Sequence, residues 1–247
     1  MPDPLFADAD LAALYDLFSP WETRDDLAFY LALMSPRDAV LDVGCGTGLL
    51  LHKAREAGHT GRLCGLDPAA GMLAQARRRS DVEWVEGELS RPRWGSEFDL
   101  VVMTGHAFQV LLTDEELRCG LSTIARALTQ GGRFAFETRN PGARPWERWV
   151  PDNVLEADDG AGGVVRMWNE VETPVTGNTV SFTTTFTGSH WDRPRFSRTT
   201  LRFVTPGEVT DFLAEAGLVV ERQFGDFSGG PLTATSPEII TVARRAE

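Results

Sequence analysis

From Ala39 onward, short apolar runs alternate with stretches of helical periodicity. Ala39–Val43, Arg62–Leu66, Val82–Glu86, Phe98–Met103 and Arg133–Thr138 read as strands. Between them, Gly48–Ala57, Ala69–Arg79 and Asp114–Leu128 read as helices. Strands that are apolar nearly throughout and separated by helices predict a parallel sheet covered on both faces. Thr113 with Glu116 predicts a capping box on the third of these helices, which is expected to stop at Gly131-Gly132. Two amphipathic helices are expected ahead of this block, over about Ala7–Phe18 and Trp21–Met34. Ser19, Pro20 and Glu22 read as N-cap, N1 and N3 of the second.

After Asn140-Pro141-Gly142 the period changes. Val180, Phe182, Thr184 and Phe186 alternate with hydroxyl residues, as do Leu201 and Phe203 with Thr200 and Arg202, and Val164–Val171 reads as a further strand. With turn chemistry at Thr176-Gly177-Asn178, residues from about 146 to 204 predict antiparallel strands. The α/β pattern returns with a helix capped by Thr205, Pro206 and Glu208, ending at Gly217, and with strands at Leu218–Phe224 and Glu238–Ala243. The expected division is a helical segment over 1–38, an α/β core over 39–145, an antiparallel insertion over 146–204, and a final helix with the last two core strands over 205–247.

The sharpest local signal is Val40-Leu41-Asp42-Val43-Gly44-Cys45-Gly46-Thr47-Gly48, where the first strand gives way to the first sheet helix. A glycine loop in that context lets a ligand approach the backbone at the carboxyl edge of the strands. A nicotinamide or flavin dinucleotide site would carry G-x-G-x-x-G, but Gly44, Gly46 and Gly48 give G-x-G-x-G, with Leu49 in the place of the third glycine. Asp42 beside the loop would repel a pyrophosphate, whereas it would attract an ammonium.

The segment Leu41–Gly48 resembles motif I of the class I methyltransferases that use S-adenosylmethionine (SAM), and the likeness continues along the chain. It implies a Rossmann-like, mostly parallel seven-stranded sheet in which Asp42 and the loop glycines hold the methionine part of SAM. Gly65-Leu66-Asp67 ends the second strand 19 residues after Gly48, where the family places a carboxylate on the ribose hydroxyls. Charge-assisted bonds of that kind contribute ~1.5–3 kcal/mol each. Glu88 and Leu89 follow the third strand, where the family has an acidic residue near the adenine amine, and Glu88 is longer than the common Asp. The resemblance spans about residues 39–140, with the last helix and two strands matching by pattern.

Methyl transfer is an in-line displacement in which positioning can supply ~7–11 kcal/mol, so few residues need carry the chemistry. Thr104-Gly105-His106-Ala107-Phe108-Gln109 follows the fourth strand and lacks the Asn/Asp-Pro-Pro-aromatic motif of enzymes that methylate nucleic-acid bases. The paired-glutamate loop of protein arginine methyltransferases is absent too, which leaves a small-molecule acceptor as the expected partner. Thr104 is expected beside the cofactor. His106 is the histidine best placed to act as a base, since an ordinary pKa near 6.5 suits proton transfer; a pocket-wall role is the alternative. The N-terminal helices resemble the lid of glycine and amino-sugar N-methyltransferases. That likeness implies that Tyr15 faces the methyl group and Arg24 pairs the SAM carboxylate, while a solvated Arg24 beside Asp25 and Asp26 stays open. His52 and His59 are expected at the surface and His190 in a turn. Trp146, Trp149, Arg166, Trp168 and Trp191 in the insertion shape an acceptor pocket, bury an apolar face, or build a homodimer interface.

The 24 basic and 36 acidic residues leave a net charge of −12, against a nucleic-acid partner. Cys45, Cys64 and Cys119 form no C-x-x-C pair, so neither a disulfide framework nor a zinc site is expected, and a reducing cytoplasm is the plain reading. The first residues show no secretory signal and no stretch reaches membrane-spanning length. Two other functions share the motif: a SAM-binding regulator without turnover, and another SAM-fold reaction such as aminopropyl transfer or rearrangement.

Overall fold

The computed structural model describes residues 6, 9–35, 37–91, 93–160 and 162–246. Ala7, at which the sequence starts its first helix, lies outside them; the helix is described over Ala9–Phe18 (α1). No helix among the described residues is long and apolar enough to cross a membrane.

Seven strands build the main sheet: β1 (Ala39–Val43), β2 (Arg62–Asp67), β3 (Glu83–Glu86), β4 (Phe98–Met103), β5 (Leu128–Arg139), β10 (Leu218–Phe224) and β11 (Glu238–Arg245). Their order is β10-β11-β5-β4-β1-β2-β3. Only β11 runs antiparallel to its neighbours. From β1 the chain steps outward to β2 and β3 on one side, and from β4 to β5 on the other. The switch point therefore lies between β1 and β4, and a crevice opens at their carboxyl ends.

Helices cover both faces because strand side chains alternate. Phe134 and Phe136 of β5 pack with Leu117, Leu121 and Ile124 of α5 (Asp114–Ala127) and Phe212 and Leu213 of α6 (Pro206–Glu215). Val40, Leu100, Val102 and Ala135 face the other way, onto Leu27, Tyr30 and Met34 of α2 (Asp25–Met34) and Leu50, Leu51 and Ala54 of α3 (Leu49–Glu56). Each fully buried Leu or Phe contributes ~1.5–3 kcal/mol. By the same alternation Glu137 follows Ala135 onto the α2 face, where it is fully buried. The fourth helix, α4 (Ala70–Ala76), packs Leu73 and Ala76 against Cys45 and Trp84.

The insertion is a second sheet of β6 (Leu155–Asp158), β7 (Val164–Val171), β8 (Thr179–Gly188) and β9 (Arg195–Arg202), antiparallel throughout. Thr176-Gly177-Asn178 lies in the connection between β7 and β8, with Gly177 at φ +66°. Its inner face buries Val165 and Phe186 against Leu11 and Leu14 of α1, and Val180 against Leu201, Phe203, Trp146 and Trp149. Trp191 packs with the first of these clusters, and Arg166 pairs with Glu156 at the surface.

The capping boxes at Thr113–Glu116 and Thr205–Glu208 both form. Three local expectations are corrected. The box at Ser19 does not form: Trp21–Thr23 make a single 3-10 turn, no side chain caps it, and α2 begins only at Asp25. Arg24, at φ −107° and ψ 79°, breaks the helix between them. Second, α5 stops at Ala127 rather than at the glycine pair, because fully buried Leu128 already has an extended backbone and pairs with Phe98. Third, residues after Pro141 make two 3-10 turns before the insertion's first strand at Leu155.

Candidate active site

The glycine loop after β1 folds back onto β2, with the Gly44 and Cys45 N–H groups donating to the Leu66 carbonyl at 2.7 and 3.2 Å. Gly48 caps α3 at φ +79°, and a Cβ there would lie 2.4 Å from the Trp84 ring. Gly44, at φ +72°, would bring a Cβ to 2.8 Å from Ala107. Side chains at these points are excluded by both conformation and space, so the loop presents bare backbone to the crevice. Gly46, also at positive φ, donates its N–H to Asp67 Oδ2 at 2.9 Å.

Two carboxylates flank the loop. Asp42 ends β1 almost fully buried, and its Oδ1 has no hydrogen-bond partner among the described residues. Burial pushes its pKa up to about 8, with Asp67 and Glu137 adding to the rise and Arg24 opposing it. Asp67, at the end of β2, accepts from the Ala69 N–H at 2.8 Å as well as from Gly46. Burial raises its pKa while those two bonds work against the rise. Each Asp67 oxygen retains a lone pair for a ligand.

Asp42, Gly44, Gly46, Thr47, Thr104 and Gly105 line one cleft with Tyr15, Asp16 and Arg24 from the N-terminal helices. Arg24 gives Nε and one Nη2 hydrogen to Asp26, at 2.7 and 2.6 Å, which aims the guanidinium and leaves Nη1 without a hydrogen bond among the described residues. A Cβ built on Gly105 would sit 3.4 Å from Arg24 Nη2 and 3.5 Å from the Tyr15 hydroxyl. Both side chains therefore close over the turn after β4. The Thr47 hydroxyl donates to Asp16 at 2.9 Å, and Ala12 packs on Ala69 and Met72, so α1 lies across the loop. The remaining cavity is about 40 Å³, well below the ~300–1,000 Å³ of a small-molecule site. Beyond the Thr47–Asp16 bond lies a second, more open cavity of about 260 Å³, lined also by His52, Gln75 and Arg78.

Behind the cleft is a polar network. His106 turns with φ +63°, and its N–H donates to Glu137 at 2.8 Å. The Tyr30 hydroxyl also donates to Glu137. His106 Nε2 lies 3.1 Å from both Glu238 oxygens. About a fifth of the His106 side chain (21%) stays open. Burial of the rest, with the Arg139 guanidinium, pushes the ring down to about 3, so it is neutral at pH 7. Burial pushes Glu238 up to about 7, with Arg139 opposing it.

The structure thus gathers Asp42, Gly44, Gly46, Thr104, Arg24 and Tyr15 around one cleft, with Asp67 and Gly48 bonded to or capping its loop. Glu88 is not brought there: it is exposed, and its carboxylate accepts from Ser90 Oγ in its own loop. The backbone after β3 turns outward at that point, with Arg91 N–H donating to the Glu88 carbonyl. Leu89 packs its side chain toward Gly120 of α5. His106 lies beside the cleft rather than free in it: burial pushes its ring down to about 3, and Nε2 lies 3.1 Å from Glu238. His52 and His59 are half-buried rather than superficial; His52 bonds the Ala76 carbonyl and meets Trp84 edge-on, while the two buried ring nitrogens of His59 have no partner among the described residues. His190 is exposed in a turn.

Sequence reasoning missed Asp16, Tyr30, Glu137, Arg139 and Glu238. One signal existed: Phe134-Ala135-Phe136-Glu137 places a carboxylate in an apolar strand, and buried charges are rare unless paired.

Residues 40–132 match a family model described as a methyltransferase domain. The chain is 30% identical to the cypemycin N-terminal methyltransferase of a Streptomyces species, over 99% of this chain and 100% of that protein. It is 32% identical to the dTDP-3-amino-3,4,6-trideoxy-alpha-D-glucopyranose N,N-dimethyltransferase of Streptomyces venezuelae, over 60% of this chain and 62% of that one. An S-adenosylmethionine-dependent methyltransferase from Clostridium acetobutylicum has the same fold, with a TM-score of 0.77 at 15% identity, 96% of this chain and 98% of that chain being covered.

Proposed function

The chain belongs to the SAM-dependent methyltransferases, and from that premise we propose that it methylates an amine nitrogen of a small molecule. One of its relatives is named an N,N-dimethyltransferase of an amino sugar and another an N-terminal methyltransferase. The observation that carries the cofactor assignment is the unpartnered oxygen of Asp42, buried beside the Arg24 guanidinium. A buried carboxyl with an empty lone pair is costly, and an ammonium ligand would relieve it. With Arg24 Nη1 uncommitted nearby, the cleft offers one anion and one cation, matched to the two ends of an amino-acid zwitterion.

On this reading Asp42 holds the ammonium and Arg24 the carboxylate of the methionine part. The bare backbone of Gly44–Gly48 lets the chain of the ligand lie close, and Asp67 takes the ribose hydroxyls. SAM, when bound, supplies a methyl group on a positively charged sulfur. Thr104 and Gly105 form the floor beneath the transfer line, and Tyr15 closes it from above. Entry of a nucleoside requires α1 to shift, since its contacts with Ala69, Met72 and Thr47 leave too little room. The insertion sheet, which packs on the same α1, then borders the acceptor side.

The test is calorimetry with SAM followed by a tritiated-methyl screen over amine and hydroxyl metabolites. Micromolar binding with label on amines supports the proposal. Label on hydroxyls alone would refute the nitrogen assignment, and binding without turnover on any acceptor would favour a regulatory protein.

A further inference from the structure

Six strands of the main sheet deliver their last residues to the edge where the cleft opens, but β11 runs the other way and delivers its first, Glu238. In register it pairs with Arg139, the last residue of β5. Directly across stands His106, in the turn whose preceding residue, Gly105, lines the cleft. Resting on the amine reading above, we propose that Glu238 grips the acceptor's ammonium and takes its proton, and that His106 is a positioning residue that orients the Glu238 carboxylate.

Geometry supports these roles. Nε2 of His106 lies equally far from both Glu238 oxygens, 3.1 Å, so the ring braces the carboxylate symmetrically. The Glu238 side chain keeps 16% of its surface open, and no other hydrogen-bond donor reaches its oxygens among the described residues. Two carboxylate oxygens with about four lone-pair sites, engaged by one N–H, leave capacity for an ammonium. His106 is itself fixed from behind, where buried Glu137 accepts its N–H and the Tyr30 hydroxyl. The Tyr15 hydroxyl closes on Gly105, the residue before His106, so the His106–Glu238 pair stands next to the turn that lines the cleft.

The groups facing Glu238 are His106 after β4, Arg139 of β5, and Asp26 and Tyr30 of α2. Burial outweighs Arg139 and sets Glu238 near 7, where a carboxylate can both attract an ammonium and accept its proton. Burial of His106 keeps its ring neutral, so it donates one N–H without neutralising the partner. The step balances without further reagents. A proton passes from the acceptor ammonium to a Glu238 oxygen, freeing the nitrogen lone pair. The nitrogen–carbon bond then forms as the carbon–sulfur bond breaks, and its electron pair stays on sulfur. The positive charge moves from sulfur to the methylated nitrogen.

The experiment compares the full-length protein with Glu238→Gln, which keeps the shape and an acceptor oxygen for His106. Acceptor probes are glucosamine and an alanyl tetrapeptide, set against glucose and the N-acetylated tetrapeptide. The expected result is transfer to the free amines, a loss of about 100-fold or more in kcat at pH 7 in the variant, and SAM affinity within about twofold of the parent. The loss should shrink at high pH, as amines shed their proton to water. Glu238→Asp should retain the acid limb of the pH profile, which guards against misreading a folding defect. His106→Asn should shift that limb while leaving SAM affinity unchanged. Amine transfer with equal kcat and an unshifted profile in Glu238→Gln would overturn this inference and leave the amine reading intact. Transfer to glucose or the blocked peptide alone, or no transfer by the parent despite SAM binding, would overturn the amine reading and the inference with it.

Discussion

Replacing Asp42 by asparagine should make the free protein more stable and its grip on SAM weaker. Burial lifts the Asp42 pKa from 3.8 to about 8, so at pH 7 the folded protein carries the acid mostly protonated while the unfolded chain carries it ionised. At ~1.4 kcal/mol per pKa unit, this removes on the order of 4 kcal/mol of folding free energy at pH 7. The sign follows from the raised pKa: the penalty is absent below about pH 4, grows until about pH 8, and is constant above. Asparagine escapes it but buries an extra amide N–H donor that the protonated acid lacks, a cost of ~1–3 kcal/mol. The net gain is about 1–3 kcal/mol, or roughly 2–12 °C in Tm at the ~2–4 °C per kcal/mol of a chain this size. The gain should widen from pH 4 to pH 8. Ligand binding reverses the preference, because an ammonium holds Asp42 in its charged form. Titration of the parent with SAM at pH 7 should therefore release close to one proton, read as a dependence of the calorimetric heat on the buffer's ionisation enthalpy. The variant should release none and bind at least tenfold more weakly. A variant less stable than the parent at pH 7, or one with unchanged SAM affinity, would refute the reasoning.

Tyr30→Phe removes a hydroxyl that bonds buried Glu137; it should cost ~1–3 kcal/mol in a urea melt and lower kcat by loosening the His106 turn, and a parent-like midpoint would show that Glu137 needs no such donor. Gly48→Ala places a Cβ in left-handed backbone 2.4 Å from Trp84. It should cost about 2 kcal/mol or more and weaken SAM at least tenfold; parent-like melting and affinity would contradict the cradle.

The α/β alternation, the glycine loop and the boxes at Thr113 and Thr205 were legible because each rests on residues close in sequence. Asp42, Asp67 and Thr104 were legible for a related reason: the residues at successive strand ends must meet at one edge of a parallel sheet. Glu238 was not, since its role depends on β11 being reversed and on a histidine 132 residues earlier. The Ser19 box failed because the local motif competed with Arg24, whose side chain is held by Asp26 at the cleft. Glu88 had the right sequence spacing, but a loop that turns outward carries its side chain into solvent. A histidine's usefulness as a base depends on desolvation, which residue type alone does not reveal.

Cofactor binding here means a nucleoside lying across the carboxyl ends of β1 and β2, with a carboxylate at each end. A crystal structure with S-adenosylhomocysteine measures this directly. The ribose hydroxyls should lie within hydrogen-bond distance of Asp67 and the amino group at Asp42, with α1 displaced from Thr47. The same ligand seated instead in the larger cavity beside His52 and Arg78, with Asp42 and Asp67 untouched, would contradict it.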